Sequence, residues 1–169
     1  MQHALTPSPA HVLRPPALGP HSKSWAPQAG AASFGDLPSH HGFAGLLAAY
    51  RSSGGTARGD DVARLLEDYR LGDFVSLARL IASGEVFSFE WRGTHWIPMF
   101  QFELRDFSVK PAPRLVLAEL GPGFDGWERA AWFAERNTWL NDRRPVDMIE
   151  TELADVLAAA RTDRFIAVG

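Results

Sequence analysis

The chain carries six histidines and twenty acidic side chains, but no cysteine. Disulfides, thiolate metal sites and cysteine nucleophiles are therefore excluded. His40 and His41 are adjacent in sequence, without the i, i+4 partner a helical metal site uses, and are expected as a solvated loop pair. His95 sits beside Trp96 in a strand-like stretch, the setting of a surface histidine rather than a catalytic base. Glu150, Glu152 and Asp155 lie where a final helix should begin, and the positive end of the helix dipole accounts for acidic side chains there. No P-loop, H-E-x-x-H or G-x-S-x-G occurs. These residues predict a non-enzymatic protein with no catalytic residues, no metal site and no cofactor.

One motif points toward phosphate binding. Gly121, Gly123 and Gly126 form G-x-G-x-x-G, with Asp142 and Asp147 roughly twenty residues on, where a ribose-binding acid would stand. That fingerprint requires a strand before the glycines, whereas residues 115–120 have helical spacing, and Pro122 removes one of the loop's amide donors. A helix stop followed by a restart is the expected structure.

The elements around these residues follow from periodicity. Phe43, Leu46, Leu47 and Tyr50 have i, i+3, i+4, i+7 spacing and predict a helix ended by the 52–56 segment with Gly54 and Gly55. A second helix is expected from Asp60 as N-cap, closing at Leu71-Gly72, and a third over 73–83 with Gly84 just past its end. The period then changes from 3.6 to 2. Val86, Phe87, Phe89 and Trp91, then Arg92-Gly93, then Thr94, Trp96 and Ile97 predict a β-hairpin, with the chain extended from Phe100 to a turn near Arg105-Asp106. A helix opened by Pro111 or Pro113 ends at Gly121. Another is capped by Asp125, with Trp127 and Ala131 inward, and runs to Asn137. Pro145 starts a short one. The last carries Leu153, Val156, Leu157 and Ala160, followed by a tail from Asp163.

The expected fold is mainly α with one β-hairpin. Its N-terminal part, residues 43–104, is a degenerate winged-helix-like unit, and residues 105–169 form a small helical module. Residues 1–40 hold seven of the twelve prolines and only three charged side chains, so residues 1–42 are expected as a flexible leader. No apolar run is long enough to span a membrane and no basic n-region precedes an apolar stretch; the default location is cytoplasmic.

Three helices followed by a hairpin suggest a DNA-reading role for the 73–83 helix. Its one basic residue is Arg79, and the hairpin adds Arg92 and His95. Residues 51–96 contain six arginines against seven acidic side chains, and the whole chain has a net charge of −3. Phosphate neutralisation supplies most non-specific DNA affinity, so this balance argues against autonomous DNA binding. Trp127, Trp132, Phe133 and Trp139 are expected mostly in the core. With five tryptophans beyond the leader, at least one exposed aromatic patch is expected as well.

An ordered series of motifs carries a family likeness. Trp96-Ile97-Pro98-Met99-Phe100-Gln101-Phe102 contains P-x-F-Q-F. Residues 115–120, Trp127, Trp132-Phe133 and Asn137-Thr138-Trp139-Leu140 follow, then Asn141-Asp142-Arg143-Arg144-Pro145 and a closing helix. Over about residues 70–165 the chain resembles the toxin-binding domain of the MbcA/ParS/Xre antitoxins. The resemblance implies a non-catalytic cytoplasmic antitoxin, tending to form homo-oligomers, whose partner is a RES-domain toxin that consumes NAD. It places the toxin contact in the C-terminal segment 161–169, with Arg161, Arg164 and Phe165 as candidates, and a second surface at Arg143 and Arg144. Many family members carry a DNA-binding domain ahead of this module; here the leader is proline-rich and residues 43–97 lack a basic face.

Overall fold

The computed structural model describes residues 40–168; the expected leader therefore lies almost wholly outside the described residues, as does Gly169. Helix α1 (His40–Tyr50) begins three residues before the expected boundary, so the backbone of His40 and His41 is helical rather than a loop. A 3-10 turn, Arg51–Ser53, follows, and Gly54 and Gly55 take positive φ, a region open to glycine at little cost. Strand β1 (Thr56–Arg58) leads into α2 (Gly59–Asp68), α3 (Phe74–Ala82), and the strands β2 (Phe89–Trp91) and β3 (Thr94–Pro98). After a second 3-10 turn, Met99–Gln101, come α4 (Pro111–Leu120), α5 (Gly126–Ala134), a third 3-10 turn Thr138–Leu140, α6 (Pro145–Met148) and α7 (Leu153–Val168).

The described chain is mainly helical, with a small antiparallel sheet of order β1-β3-β2. The expected hairpin is β2–β3, with Phe89 opposite Trp96 and Trp91 opposite Thr94. Arg92 and Gly93 both have positive φ, as the two-residue hairpin turn with the right twist requires. The third strand corrects the one-hairpin expectation. β1 pairs Thr56 with Pro98 and Arg58 with Trp96. Three residues after a glycine pair are too few to display an alternating pattern.

Several boundaries move for local reasons. The N-cap of α2 is Arg58, not Asp60; Asp60 and Asp61 lie inside the first turn, where their charge meets the helix dipole. α2 stops at Asp68 because Arg70 turns left-handed and Leu71 N–H donates to Leu66 C=O, a C-terminal cap in which arginine takes the usual glycine position. Asp73 caps α3 by accepting from Ser76 N–H at 2.9 Å. The 99–101 segment curls instead of staying extended. Its Gln101 is wholly buried, accepts from Phe87 N–H at 2.8 Å, and donates to the carbonyls of Phe87 and Pro98 at 3.0 Å each. A side-chain amide thus does for Phe87 what a neighbouring strand would do. In α5 the buried residues are Ala130, Trp132, Phe133 and Ala134, while Trp127 is half-buried and donates to Glu90 C=O at 2.7 Å. That helix ends at Ala134, short of Asn137.

Two apolar clusters hold the elements. The larger joins α1 (Leu46, Tyr50) and Phe87, Phe89 and Phe100 to the inner faces of α4–α7. Phe87 and Phe100 lie against Phe133, with ring centroids 5.6 and 4.9 Å away. The smaller packs Val62, Leu66 and Leu77 under Ile97, Phe102 and Phe107. Each fully buried side chain of this size is worth about 1.5–3 kcal/mol.

Candidate functional site

The C-terminal end of α7 is the best-built surface feature. Val156, Ala159 and Ala160 seat the helix in the main core. At its mid-point Arg161 donates to Glu119 of α4 at 2.9 Å, and that hydrogen bond holds the Glu119 carboxyl below the usual carboxylate range. One turn on from Ala159 and Ala160, Asp163 continues the inward face and is buried. Its Oδ2 accepts from Trp132 Nε1 at 2.8 Å and from Asn137 Nδ2 at 2.7 Å; its Oδ1 accepts from Trp139 Nε1 at 2.9 Å. A buried carboxylate held by three N–H donors is tolerated because its lone pairs are met. The clamp fastens α7 to α5 and to the 138–140 turn.

Beyond the clamp α7 runs past the end of α4. A Cβ built on Gly121 would lie 3.4 Å from Arg164 Cδ, so Arg164 lies over the stop of α4. Phe165 is 79% exposed and Ile166 is 56% exposed. The helix has no glycine or proline to end it after Asp163, which is why the expected tail is its last turns. Beside the clamp, a shallow cleft of about 340 Å³ is lined by the half-exposed Trp139 with Leu140, Arg143, Asp155 and Thr162. Trp139, expected in the core, is instead exposed, because its indole reaches Asp163 only through Nε1 and its ring stays outside.

The second expected surface is engaged in contacts within the chain. Arg143 grips Glu152 with both terminal nitrogens, at 2.5 and 2.8 Å, and that contact lowers the Glu152 carboxyl and raises the Arg143 guanidinium from their ordinary values. Arg144 holds Asp147 at 2.6 and 2.7 Å and donates to Ala49 C=O at 2.9 Å, tying α6 to α1. Asn141 and Asp142, both left-handed, make the tight turn that delivers these arginines; short polar side chains tolerate that conformation best.

The DNA-reading candidates stand on separate elements. Arg79 is exposed on α3. Arg92 sits in the hairpin turn with its guanidinium 5.5 Å from the Trp91 ring centroid. His95 is on β3 opposite Glu90, its Nδ1 3.5 Å from Ser88 Oγ.

The glycine motif has a structural explanation. Residues 115–120 are helical, so no strand precedes it. Gly121 takes φ +71° at the helix stop, and a Cβ on Gly126 would fall 2.2 Å from Ser88 C=O. The α5 N-terminus, which would hold a phosphate, is occupied by its own acids in a capping box: Asp125 accepts from Glu128 N–H and Glu128 accepts from Asp125 N–H. Among the described residues no cluster of histidine and carboxylate side chains could hold a metal ion, and no helix is long and apolar enough to cross a membrane.

Sequence reasoning missed the clamp. Its signal was there: Val156, Ala159, Ala160 and Asp163 form one helical stripe, and an acid continuing an apolar stripe needs donors. No family model matches this chain, and no match is found among curated proteins or solved structures.

Proposed function

We propose that the chain is an antitoxin-like, non-catalytic inhibitor that binds a NAD-consuming RES-domain toxin through the C-terminal end of α7. The observation that carries this reading is the exposed Phe165–Ile166 pair on a helix end fastened one turn earlier by Asp163. An aromatic and an aliphatic side chain held in water on a rigid base suit burial in a partner, since little ordering entropy remains to be lost. Arg164 beside them supplies a cation that can pair with phosphate or stack on a ring. The likeness of residues 70–165 to the antitoxin domain supports the same end of the molecule.

The test is co-expression with the product of the adjacent reading frame, followed by affinity purification and measurement of cellular NAD. Inhibition is expected to be lost in Phe165→Ser/Ile166→Ser and to survive in the wild-type chain. Deleting 161–169 is the wrong variant, because it removes Asp163 and opens the core. A double-serine variant that is folded and still neutralises the toxin would refute this contact surface.

A winged-helix regulator is the second reading. The element order α1-β1-α2-α3-β2-β3 and the sheet order β1-β3-β2 favour it, with α3 in the reading position and the β2–β3 hairpin as the wing. Its discriminating measurement is salt-dependent binding to duplex DNA that disappears in Arg79→Glu.

A further inference from the structure

The end of α3, the side of α4 and the first turns of α5 meet around an open cleft of about 460 Å³. Ile81, Leu117 and Pro122 give it an apolar wall, and Arg114, Arg129 and Glu85 supply its charges. Arg129 is the unusual member. Among the described residues it makes no ion pair, and its one side-chain hydrogen bond runs from Nη2 to Gly121 C=O at 3.0 Å. Its Nε is buried without an acceptor. A guanidinium carries five N–H donors, so most of this one's capacity is unmet. Asp125 and Glu128 act on it through space, but each accepts from the other's backbone amide in the capping box. Burial outweighs their charge and lowers the Arg129 guanidinium from its ordinary value. A cation partly withdrawn from water without a counter-ion is costly, and an anion entering the cleft relieves that cost.

Two more arginines stand by. Arg164 approaches Gly121 from α7, with Cδ 3.4 Å and Nη1 4.0 Å from a Cβ built on that glycine. Among the described residues it too makes no ion pair. Its charge reaches Glu119 through space, but that carboxylate is bonded to Arg161. Arg114 meets Glu85 at 3.4 Å with both side chains partly exposed, a contact of little worth in water and readily exchanged for another. Glu85 also accepts from Ser83 Oγ at 3.1 Å, which keeps it at the α3 side of the cleft.

We infer that this cleft binds a phosphate monoester with an apolar body. Arg129 and Arg114 grip the phosphoryl group beside Gly121 and Pro122, and Arg164 adds its charge from the other side of Gly121. The charges select the class of ligand. A monoester carries about −1.5 to −2 near neutral pH and answers both arginines that lack an ion pair, whereas a monocarboxylate answers one. Guanidinium forks match phosphate oxygens in pairs. The apolar wall selects the body, since inorganic phosphate would leave Ile81 and Leu117 uncovered. The grip comes from side chains and not from the α5 amides, which the capping box already occupies. Arg164 also lies on the α7 end assigned to toxin contact, but the inference does not rest on that reading and its test contains no toxin.

Isothermal titration calorimetry of the full chain with phenyl phosphate, in a phosphate-free buffer of fixed ionic strength, tests it. The expected result is one equivalent bound, more tightly than inorganic phosphate or benzoate. Arg129→Lys keeps the charge but loses the fork, and should weaken binding by about tenfold or more. Arg114→Ala and Arg164→Ala should each weaken it by about three- to tenfold. Arg51→Ala removes the same charge from the 51–53 turn and should leave binding unchanged. Arg164 is exposed, so its variant stays folded and keeps the test decisive even where thermal melts show that Arg129→Lys is unstable. The proposal is overturned by the absence of saturable binding up to about 10 mM phenyl phosphate. Equal affinity for phenyl phosphate, inorganic phosphate and benzoate would overturn it as well. So would binding that is indifferent to Arg164→Ala, or weakened as much by Arg51→Ala.

Discussion

Trp139 stands half out of the protein, yet its indole Nε1 donates 2.9 Å to the buried carboxylate of Asp163, twenty-four residues further along the chain. That bond gives the surface at this end of the molecule a fixed shape. Trp132 and Asn137 complete the set of donors, so the same carboxylate that orients Trp139 also seats the last turns of α7.

Removing the clamp should therefore cost both stability and shape. Asp163→Ala leaves three N–H donors without their acceptor and is expected to destabilise the fold by about 3 kcal/mol or more, hydrogen bonds to a charged group being the stronger kind. Asp163→Asn keeps one acceptor oxygen and should cost less. In thermal melts, Trp139→Phe should cost much less in the Asp163→Ala background than in the wild type; additive costs would mean that the two residues are not coupled.

Gln101 predicts a second sensitive point. Gln101→Leu strips Phe87 of partners for both its backbone N–H and C=O at a buried site, with an expected loss of about 2–4 kcal/mol. Gln101→Glu should do no better, since a carboxylate would face the carbonyls of Phe87 and Pro98. Chemical denaturation of the three proteins provides the comparison. A Glu variant as stable as wild type would show that the amide donors are dispensable.

Gly126→Ala tests the meaning of the glycine motif. A Cβ there meets a backbone carbonyl at 2.2 Å, which no rotamer change can relieve, so α5 must shift against the residues leading into β2. A loss of about 1–3 kcal/mol or more is expected, as for overpacking in a core. Gly45→Ala is the contrast: nothing lies within 4 Å of its Cβ, and in the middle of α1 it should be neutral or slightly stabilising.

Tyr50 gives the pH dependence. Burial pushes its phenol well above the ordinary tyrosine value, with the Arg144 charge pulling weakly the other way. Its hydroxyl donates to Ala130 C=O at 2.6 Å, a bond that needs the proton. A group raised in the folded state leaves stability intact below its unfolded pKa, about 10 for tyrosine, and erodes it as pH climbs from there toward the folded value. Tyr50→Phe should lose about 1 kcal/mol at neutral pH and show a shallower fall in stability above about pH 10. Parallel slopes for the two proteins would assign the alkaline loss to other groups.

Much of the architecture was legible because it depends on neighbours in sequence. The Asp73 cap, the Arg92-Gly93 turn, the start of α4 and α6 at prolines and the Asp125 cap all arise within four residues of where they act. The third strand was not legible, since β1 is too short to show a period and exists only because β3 lies beside it. Nor was the curl at 99–101, which answers to Phe87, fourteen residues away from Gln101.

The candidate site divides in the same way. Composition alone excluded cysteine chemistry, while Arg161, Arg164 and Phe165 became candidates only through the resemblance to the antitoxin domain. Whether those side chains are offered or spent is a matter of long-range contact. Arg161 turns to Glu119, Arg143 to Glu152, and Arg144 to Asp147 and α1, while among the described residues Phe165 and Ile166 are left exposed. Local patterns declare helices, turns and caps because backbone preference and capping act within one turn. The partners of a buried carboxylate are set by packing, and Asp163 found two tryptophans and an asparagine only once α5 and α7 came together.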